Sequence, residues 1–368
     1  MNISTFTFPS LLAALALTLS GCGPAALGYS ETVSRLESAD RPPYWLDNDR
    51  VLIAGYAPDD KLLGDDGKPK KGLYILDTRN NSYTRYADLG HYSRLCYDQE
   101  FVTYTVSGKM GDPVETNRQM EGTLGQEKML PKGVRFNADF SNNSSYTDCP
   151  RVDPAKRLRV EHAEPMRRGL AVHAIFLRQE DGYILADICN LPYPECTIPV
   201  KETFNSNVKL YQPGRKDPID IPILAKELAL GSYIRYVEWA NKYLIVPANR
   251  KDTPYGYSYR LTGKAPYQIY LMTPSGQIET IPIPEGKWLP SLNVVLTRAG
   301  LYLNGNPGTE QGEGGWWLKP NGKLKRIFDL SGQMGLSPDG CKLAVSTSSK
   351  RDKPQTHFVR IVDFCSKN

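Results

Sequence analysis

Cysteine is the most reactive residue type in this chain, and its placement is uneven. Cys22 closes the stretch Leu19-Ser20-Gly21-Cys22, directly after an apolar run over residues 11–19. The other six, Cys96, Cys149, Cys189, Cys196, Cys341 and Cys365, form an even set with no C-x2-C zinc spacing. In an exported chain an even set reads as disulfides, with buried free thiols as the alternative. Histidine is scarce. His173 lies between apolar residues, as a packed core histidine or a ligand, and His162 sits beside Glu161 and Glu164, where solvent is expected. No H-E-x-x-H and no G-x-S-x-G occurs, which excludes zinc-protease and nucleophile-elbow chemistry of those types. Asp59, Asp60, Asp65 and Asp66 precede Gly67, but their spacing departs from a calcium loop. Lys61, Lys68, Lys70 and Lys71 interleave with them, so a solvated, self-neutralising loop is expected. No metal and no cofactor is expected, and catalytic residues are not identifiable.

Two further groups could bind rather than react. Tyr255, Tyr257 and Tyr259 alternate with Gly256 and Ser258, so in an extended segment all three point the same way. Such a row is a partner-binding surface or a cap on the core. The basic run Arg151, Lys156, Arg157, Arg159, Arg167 and Arg168 is diluted by Asp153, Glu161 and Glu164. It reads as a solvated face, with contact to anionic lipid headgroups as the alternative. Trp316 and Trp317 are strand neighbours and should point to opposite faces, as packing residues or as a ligand platform.

The elements that must position these residues are strands and turns. Tyrosine is abundant at 22 residues, and 31 Gly and 28 Pro punctuate the chain. A hydrophobic fraction of 40% excludes a polytopic membrane protein. The net charge of +5 is spread without a dense basic block, so no nucleic-acid partner is expected. One pattern recurs six times: an apolar strand, a short turn and a second apolar strand. The clearest copy runs from Met334 through Ser337-Pro338-Asp339-Gly340 to Lys342-Leu343-Ala344-Val345. Others turn at Asp47-Asn48-Asp49, Asp98-Gln99, Glu180-Asp181-Gly182, Ala240-Asn241 and Arg298-Ala299-Gly300. In the copy at Ala240-Asn241, the strand before the turn is read as Tyr236-Val237-Glu238-Trp239. Hairpins follow several copies, turning at Asn80-Asn81, Ser275-Gly276, Asn321-Gly322 and near Arg215-Lys216. Four antiparallel strands per unit predict an all-β fold, a β-propeller of six four-stranded blades. Seven is the alternative, because residues 135–168 hold extra strand-like material. Residues 225–230 are at most a helical turn.

Leu19-Ser20-Gly21-Cys22 with its apolar run resembles the signal peptide and lipobox of bacterial lipoproteins, although residues 1–10 lack Lys and Arg. The resemblance implies a signal peptide over 1–21, lipidation of Cys22, a tether over 22–27 and one propeller domain over 28–368. Gly23 rather than Asp after the cysteine implies sorting to the outer membrane, with the protein held by its lipid on the periplasmic face. The Ser337-Pro338-Asp339-Gly340-x-Lys342 segment is similar to the repeat of TolB-type propellers, specifically in this one unit. The α/β domain that precedes the TolB propeller has no counterpart here, so a TolB function is not implied.

Three expectations follow for the fold. The last unit supplies only three strands, so the segment around residues 28–36 should add the fourth and close the ring. If Val345 faces Ile361, Cys341 lies opposite Cys365 and the two should bond. Cys189 and Cys196 flank a short loop and should pair, which leaves Cys96 with Cys149. The long insertions 57–71, 107–132, 190–206, 248–266 and 304–315 should fall between second and third strands, on one side of the disc. The expected function is protein binding or scaffolding in the cell envelope, with an envelope protein as partner. An enzyme or carbohydrate-binding module using the central channel is the alternative.

Overall fold

The computed structural model describes residues 28–38, 42–60, 62, 67, 69–89, 95–98, 100–106, 118–130, 170–177, 180–192, 208–221, 233–246, 268–283, 290–305, 314–330, 332–347 and 356–366. The middle strands of each unit are apolar on both faces. β3 (Arg50–Tyr56) buries five consecutive residues and β23 (Lys342–Thr347) does the same, so neither face can be left to water. Outer strands alternate or stay half-exposed, as in β5 (Ser82–Asp88) and β21 (Leu324–Phe328).

Strands follow one another as antiparallel meanders. One sheet joins β6 (Leu95–Asp98), β7 (Phe101–Val106), β8 (Arg118–Thr123) and β9 (Lys128–Met129) in chain order. Another joins β10 (Leu170–Phe176), β11 (Tyr183–Pro192), β12 (Val208–Tyr211) and β13 (Ile219–Asp220). A third holds β14 (Tyr233–Val237), β15 (Lys242–Val246), β16 (Gln268–Met272) and β17 (Ile278–Pro282). A fourth holds β18 (Pro290–Thr297), β19 (Gly300–Gly305), β20 (Gly314–Leu318) and β21. The fifth sheet has eight strands and contains two such sets. β2 (Tyr44–Trp45), β3, β4 (Gly72–Asp77) and β5 form one, and β22 (Gln333–Leu336), β23, β24 (Phe358–Asp363) and β1 (Ser30–Ser38) form the other.

β1 is the joint between the two sets. It pairs with β24 from Ser30↔Asp363 to Glu37↔Phe358, and touches β3 only through Glu37↔Tyr56 and Ser38↔Gly55. The N-terminal segment therefore supplies the fourth strand of the last unit, where the sequence placed it. At the crossing the backbones come so close that a Cβ on Gly55 would lie 1.9 Å from the Glu37 carbonyl oxygen. Leu36 is fully buried there, which locks the strand into the core.

Among the described residues, apolar side chains join the sets at five seams. Leu52 and Leu73 meet Val102 and Tyr104 between the first and second sets. Ile184 and Leu210 meet Tyr243 and Tyr270 between the third and fourth, and Leu244 and Ile269 meet Leu301 and Leu303 between the fourth and fifth. Tyr302 and Trp317 meet Leu343 and Val362 between the fifth and sixth. Ala344 and Ile361 then meet Ile53 and Tyr74, so the last set packs on the first. Each fully buried Leu or Ile in these seams contributes about 1.5–3 kcal/mol.

Three details differ from the sequence reading. Glu238 and Trp239 belong to a 3-10 turn, Glu238–Ala240, rather than to the strand before it. The second unit finds its outer strands β8 and β9 inside the segment read as an insertion over 107–132. Their alternation is weak: β8 is half-buried between exposed ends at Arg118 and Thr123, and β9 is exposed. The third is register. Val345 faces Arg360 and Ala344 faces Ile361, one residue away from the expected pairing. Both strands bury apolar residues on both faces, so hydrophobic alternation could not select the register.

Candidate functional site

The disulfide between Cys341 and Cys365 forms despite that shift, with a Cα–Cα separation of 5.3 Å. Two aspartates make this possible. Asp339 Oδ1 accepts from the Cys341 amide, and Asp363 Oδ1 accepts from the amides of Cys365 and Ser366 at 2.8 and 2.9 Å. The second of these Asx turns bends the chain back after β24 and offsets Cys365 by the missing residue. Cys96 is also disulfide-bonded, and its partner lies outside the described residues. Cys189 lies in β11, but its side chain, Cys149, Cys196 and Cys22 are outside the described part.

The Ser337-Pro338-Asp339-Gly340 turn is a junction between units. Ser337 Oγ donates to Asp339 Oδ1 at 2.6 Å and accepts from the Lys342 amide at 2.8 Å. Gly340 takes φ +77°, and a Cβ there would strike the Trp239 indole at 2.4 Å, so only glycine fits. Trp239 Nε1 donates to the Leu296 carbonyl at 3.1 Å, and the Arg298 guanidinium stacks on the Trp239 ring. Arg298 then donates through its amide to Gly340 and through Nε to the Asp339 carbonyl. On the other side the Asp339 amide donates to Asn48 Oδ1, and Lys342 Nζ reaches Asp49 Oδ1 at 2.7 Å. The first turns of four units are thus linked in series. This gives the residues of the motif a mechanical role.

Beneath these turns lies a cavity of about 450 Å³, lined by residues of five first strands and their turns. Tyr44, Trp45, Tyr97, Tyr236 and Trp239 supply ring faces. Most polar tips are spent on the protein itself: Trp45 Nε1 donates to the Gly335 carbonyl at 2.8 Å, Tyr44 to Leu95 and Tyr236 to Asn241. Glu100, Arg235 and Glu238 bring charge to the lining, with both glutamates exposed. The cavity was not legible in the sequence, because its residues come from five separate segments. Among the described residues no three His, Cys, Asp or Glu side chains gather as a metal site.

In the acidic loop before Gly67, Asp59 is exposed as expected, whereas Asp60 is more enclosed. The Asp60 side chain is 13% exposed and is held by Arg85, by Tyr74 Oη at 2.9 Å and by the Leu62 amide at 3.0 Å. Burial pushes its carboxyl upward, but these three donors outweigh burial and hold it below the ordinary carboxylate value. Asp88 is likewise lowered, because Lys70 and Arg85 together exceed its desolvation. Tyr74 is pushed up to about 12, first by burial and then by Asp60. This network ties the loop down. Asp65, Asp66, Lys61 and Lys68 lie outside the described residues.

Trp316 and Trp317 point to opposite faces as expected. Trp317 is buried against Phe364 and Tyr29, and Trp316 packs against the neighbouring seam. His173 sits in β10, whose side chains are not described, and His162 and the basic run 151–168 are outside the described part. So are Tyr255, Tyr257 and Tyr259, the row expected to bind a partner.

No family model and no curated protein matches the chain. Solved structures that it resembles include an oligogalacturonate lyase in complex with manganese, at 12% identity and TM-score 0.41 over 91% of this chain and 96% of that one. They also include TolB from Acinetobacter baumannii, at 11% identity and TM-score 0.34 over 86% of this chain and 63% of TolB. The β-propeller domain of the Trilobed protease from Pyrococcus furiosus matches at 11% identity and TM-score 0.28, over 85% and 78% of the two chains. Values this low define neither an activity nor a ligand.

Proposed function

We propose that this chain is a lipid-anchored β-propeller of six blades, held by Cys22 on the periplasmic face of the outer membrane, that binds and scaffolds an envelope protein. The observation that carries this reading is the position of β1. The segment that follows the lipobox is a built-in strand between β24 and β3, so a lipid at Cys22 would hold the whole ring and not a loose tail. β1 adds the fourth strand of the last blade, and the seam between the last set and the first supports a closed ring. Two or more acyl chains suffice for stable anchoring. Mass spectrometry of the purified protein should find an acylated Cys22 as the first residue. Cys22→Ala should lose both the acyl mass and the membrane fraction, and an unmodified wild-type chain beginning elsewhere would refute the anchor. Capture of the anchored protein from solubilised envelopes should recover one reproducible envelope protein at near-stoichiometric yield.

A second reading has one observation in its favour. The cavity under the turns presents ring faces beside Glu100, Arg235 and Glu238, a lining suited to a small ligand such as a saccharide. Titration of saccharides against tryptophan fluorescence tests it, since Trp45 and Trp239 line the space. A saturable change that Trp239→Phe weakens would favour the ligand reading over the scaffold.

A further inference from the structure

We infer that the end of the disc bearing the short turns lies against anionic lipid headgroups, seated through Lys319, Lys323 and Lys325, so that the long connections point away from the membrane. This rests on the reading that Cys22 is lipidated. Strand direction gives the geometry. β1 starts at Ser30 beside Asp363, and Asp363 also pairs with Lys342, the first residue of β23, which follows the Pro338-Asp339-Gly340 turn. The chain therefore enters the fold at the turn end of the last unit. The seven steps from Cys22 to Tyr29 reach at most about 25 Å when fully extended. A tether that short cannot carry the anchor around to the other face.

Charge at the entry point matches an anionic surface. Lys319 and Lys323 flank the turn between β20 and β21, and the Arg298 amide bond to Gly340 places that end of the fifth unit beside the last unit's turn. Lys325 Nζ lies 4.7 Å over the ring of Tyr29, the residue where the described chain begins to pack. Lys319 Nζ lies 4.8 Å over Trp317, which Tyr29 meets edge-on. Lys323 and Lys325 are exposed. Of the described carboxylates nearby, Glu31 pairs with Arg360 at 3.1 Å, and Asp363 accepts from the amides of Cys365 and Ser366. A lipid chain beside a basic patch is the two-signal arrangement that stable anchoring uses.

The test uses the lipidated full-length protein in vesicles of neutral phosphatidylcholine with or without 30% phosphatidylglycerol. Amine-reactive labelling is read residue by residue by mass spectrometry, with the protein in detergent as reference. Lys319, Lys323 and Lys325 should label at least about fivefold more slowly in phosphatidylglycerol vesicles than in detergent, and the protection should fade at high salt. Lys70, in the long connection between β3 and β4, should change little. In Lys323→Glu/Lys325→Glu, which alters exposed positions only, the protein should still float with the vesicles while Lys319 labels at the detergent rate. Protein that floats with all three lysines unprotected overturns the orientation and leaves the anchor standing. Protein that fails to float, with no acyl mass on Cys22, overturns both.

Discussion

Tyr302 shows how a single atom can be out of balance in a well-packed seam. Its side chain is fully buried between the fifth and sixth units, yet its hydroxyl finds no hydrogen-bond partner among the described residues. Burial alone pushes the phenol far above its ordinary value. An unsatisfied buried hydroxyl costs about 1–3 kcal/mol, and Phe keeps the ring while removing it. Tyr302→Phe should therefore leave the melting temperature unchanged or raise it by a few degrees; a loss of more than about 1 kcal/mol in denaturant titration would mean that the hydroxyl has a partner. Asp60 is the opposite case, a carboxylate with every partner in place. Its folded value is depressed, so its contribution to stability is present above the ordinary aspartate value near 4 and is lost as pH falls through the lower folded one. Asp88 acts in the same direction. Asp60→Asn should flatten the acid limb of the stability profile below about pH 4 and lower stability at pH 7. An unchanged acid limb would show that the network around Arg85 holds no charge-dependent stability.

At the scale of elements, β1 carries more than its length suggests. It is the outer strand of one unit and the bridge to the next, and it directly follows the proposed tether. Deleting residues 24–36 removes Leu36, Ser34 and Tyr29 from buried or packed positions and exposes the edge of β24. Losing a buried leucine alone costs about 2–5 kcal/mol. The melting temperature should fall by at least about 5 °C, and calorimetry showing an unaltered melt would assign the strand a passive role. The disulfide at the other chain end acts nearby, tying the turn before β23 to the residues after β24. Both chain termini are thus secured within one sheet, one by strand pairing and the other covalently.

For the whole molecule, the two ends of the sheets divide the work. The turn ends are short and cross-linked from Trp239 through Arg298 and Asp339 to Asn48. The opposite ends carry the long connections, including 57–71 and the segment of Tyr255, Tyr257 and Tyr259 between β15 and β16. A rigid scaffold with long loops at one end is where binding concentrates. Replacing the three tyrosines together with serine should abolish capture of the envelope partner while moving the melting temperature by less than about 2 °C. Retained capture, or a marked loss of stability, would assign the row to packing.

What the residues alone determined is what depends on local chemistry. Turn-forming Pro-Asp-Gly and Asn-Gly pairs, runs of apolar residues and the count of strands were enough to define the repeating unit and to send the N-terminal segment to the last set. The proposed lipid attachment at Cys22 rests on a short linear stretch as well. Tertiary structure decided whatever depends on which distant groups meet. The register of β23 against β24 is invisible in strands buried on both faces, and the Asx turn at Asp363 rescued the expected disulfide. β8 shows no clean alternation and β9 is two exposed residues, so pairing with β7 defines β8 and pairing with β8 defines β9. The partners of Asp60 lie on β4 and β5, so a loop that reads as solvated is pinned from a distance. The cavity draws its lining from five segments spread between Pro42 and Pro338, and only packing brings them to one place.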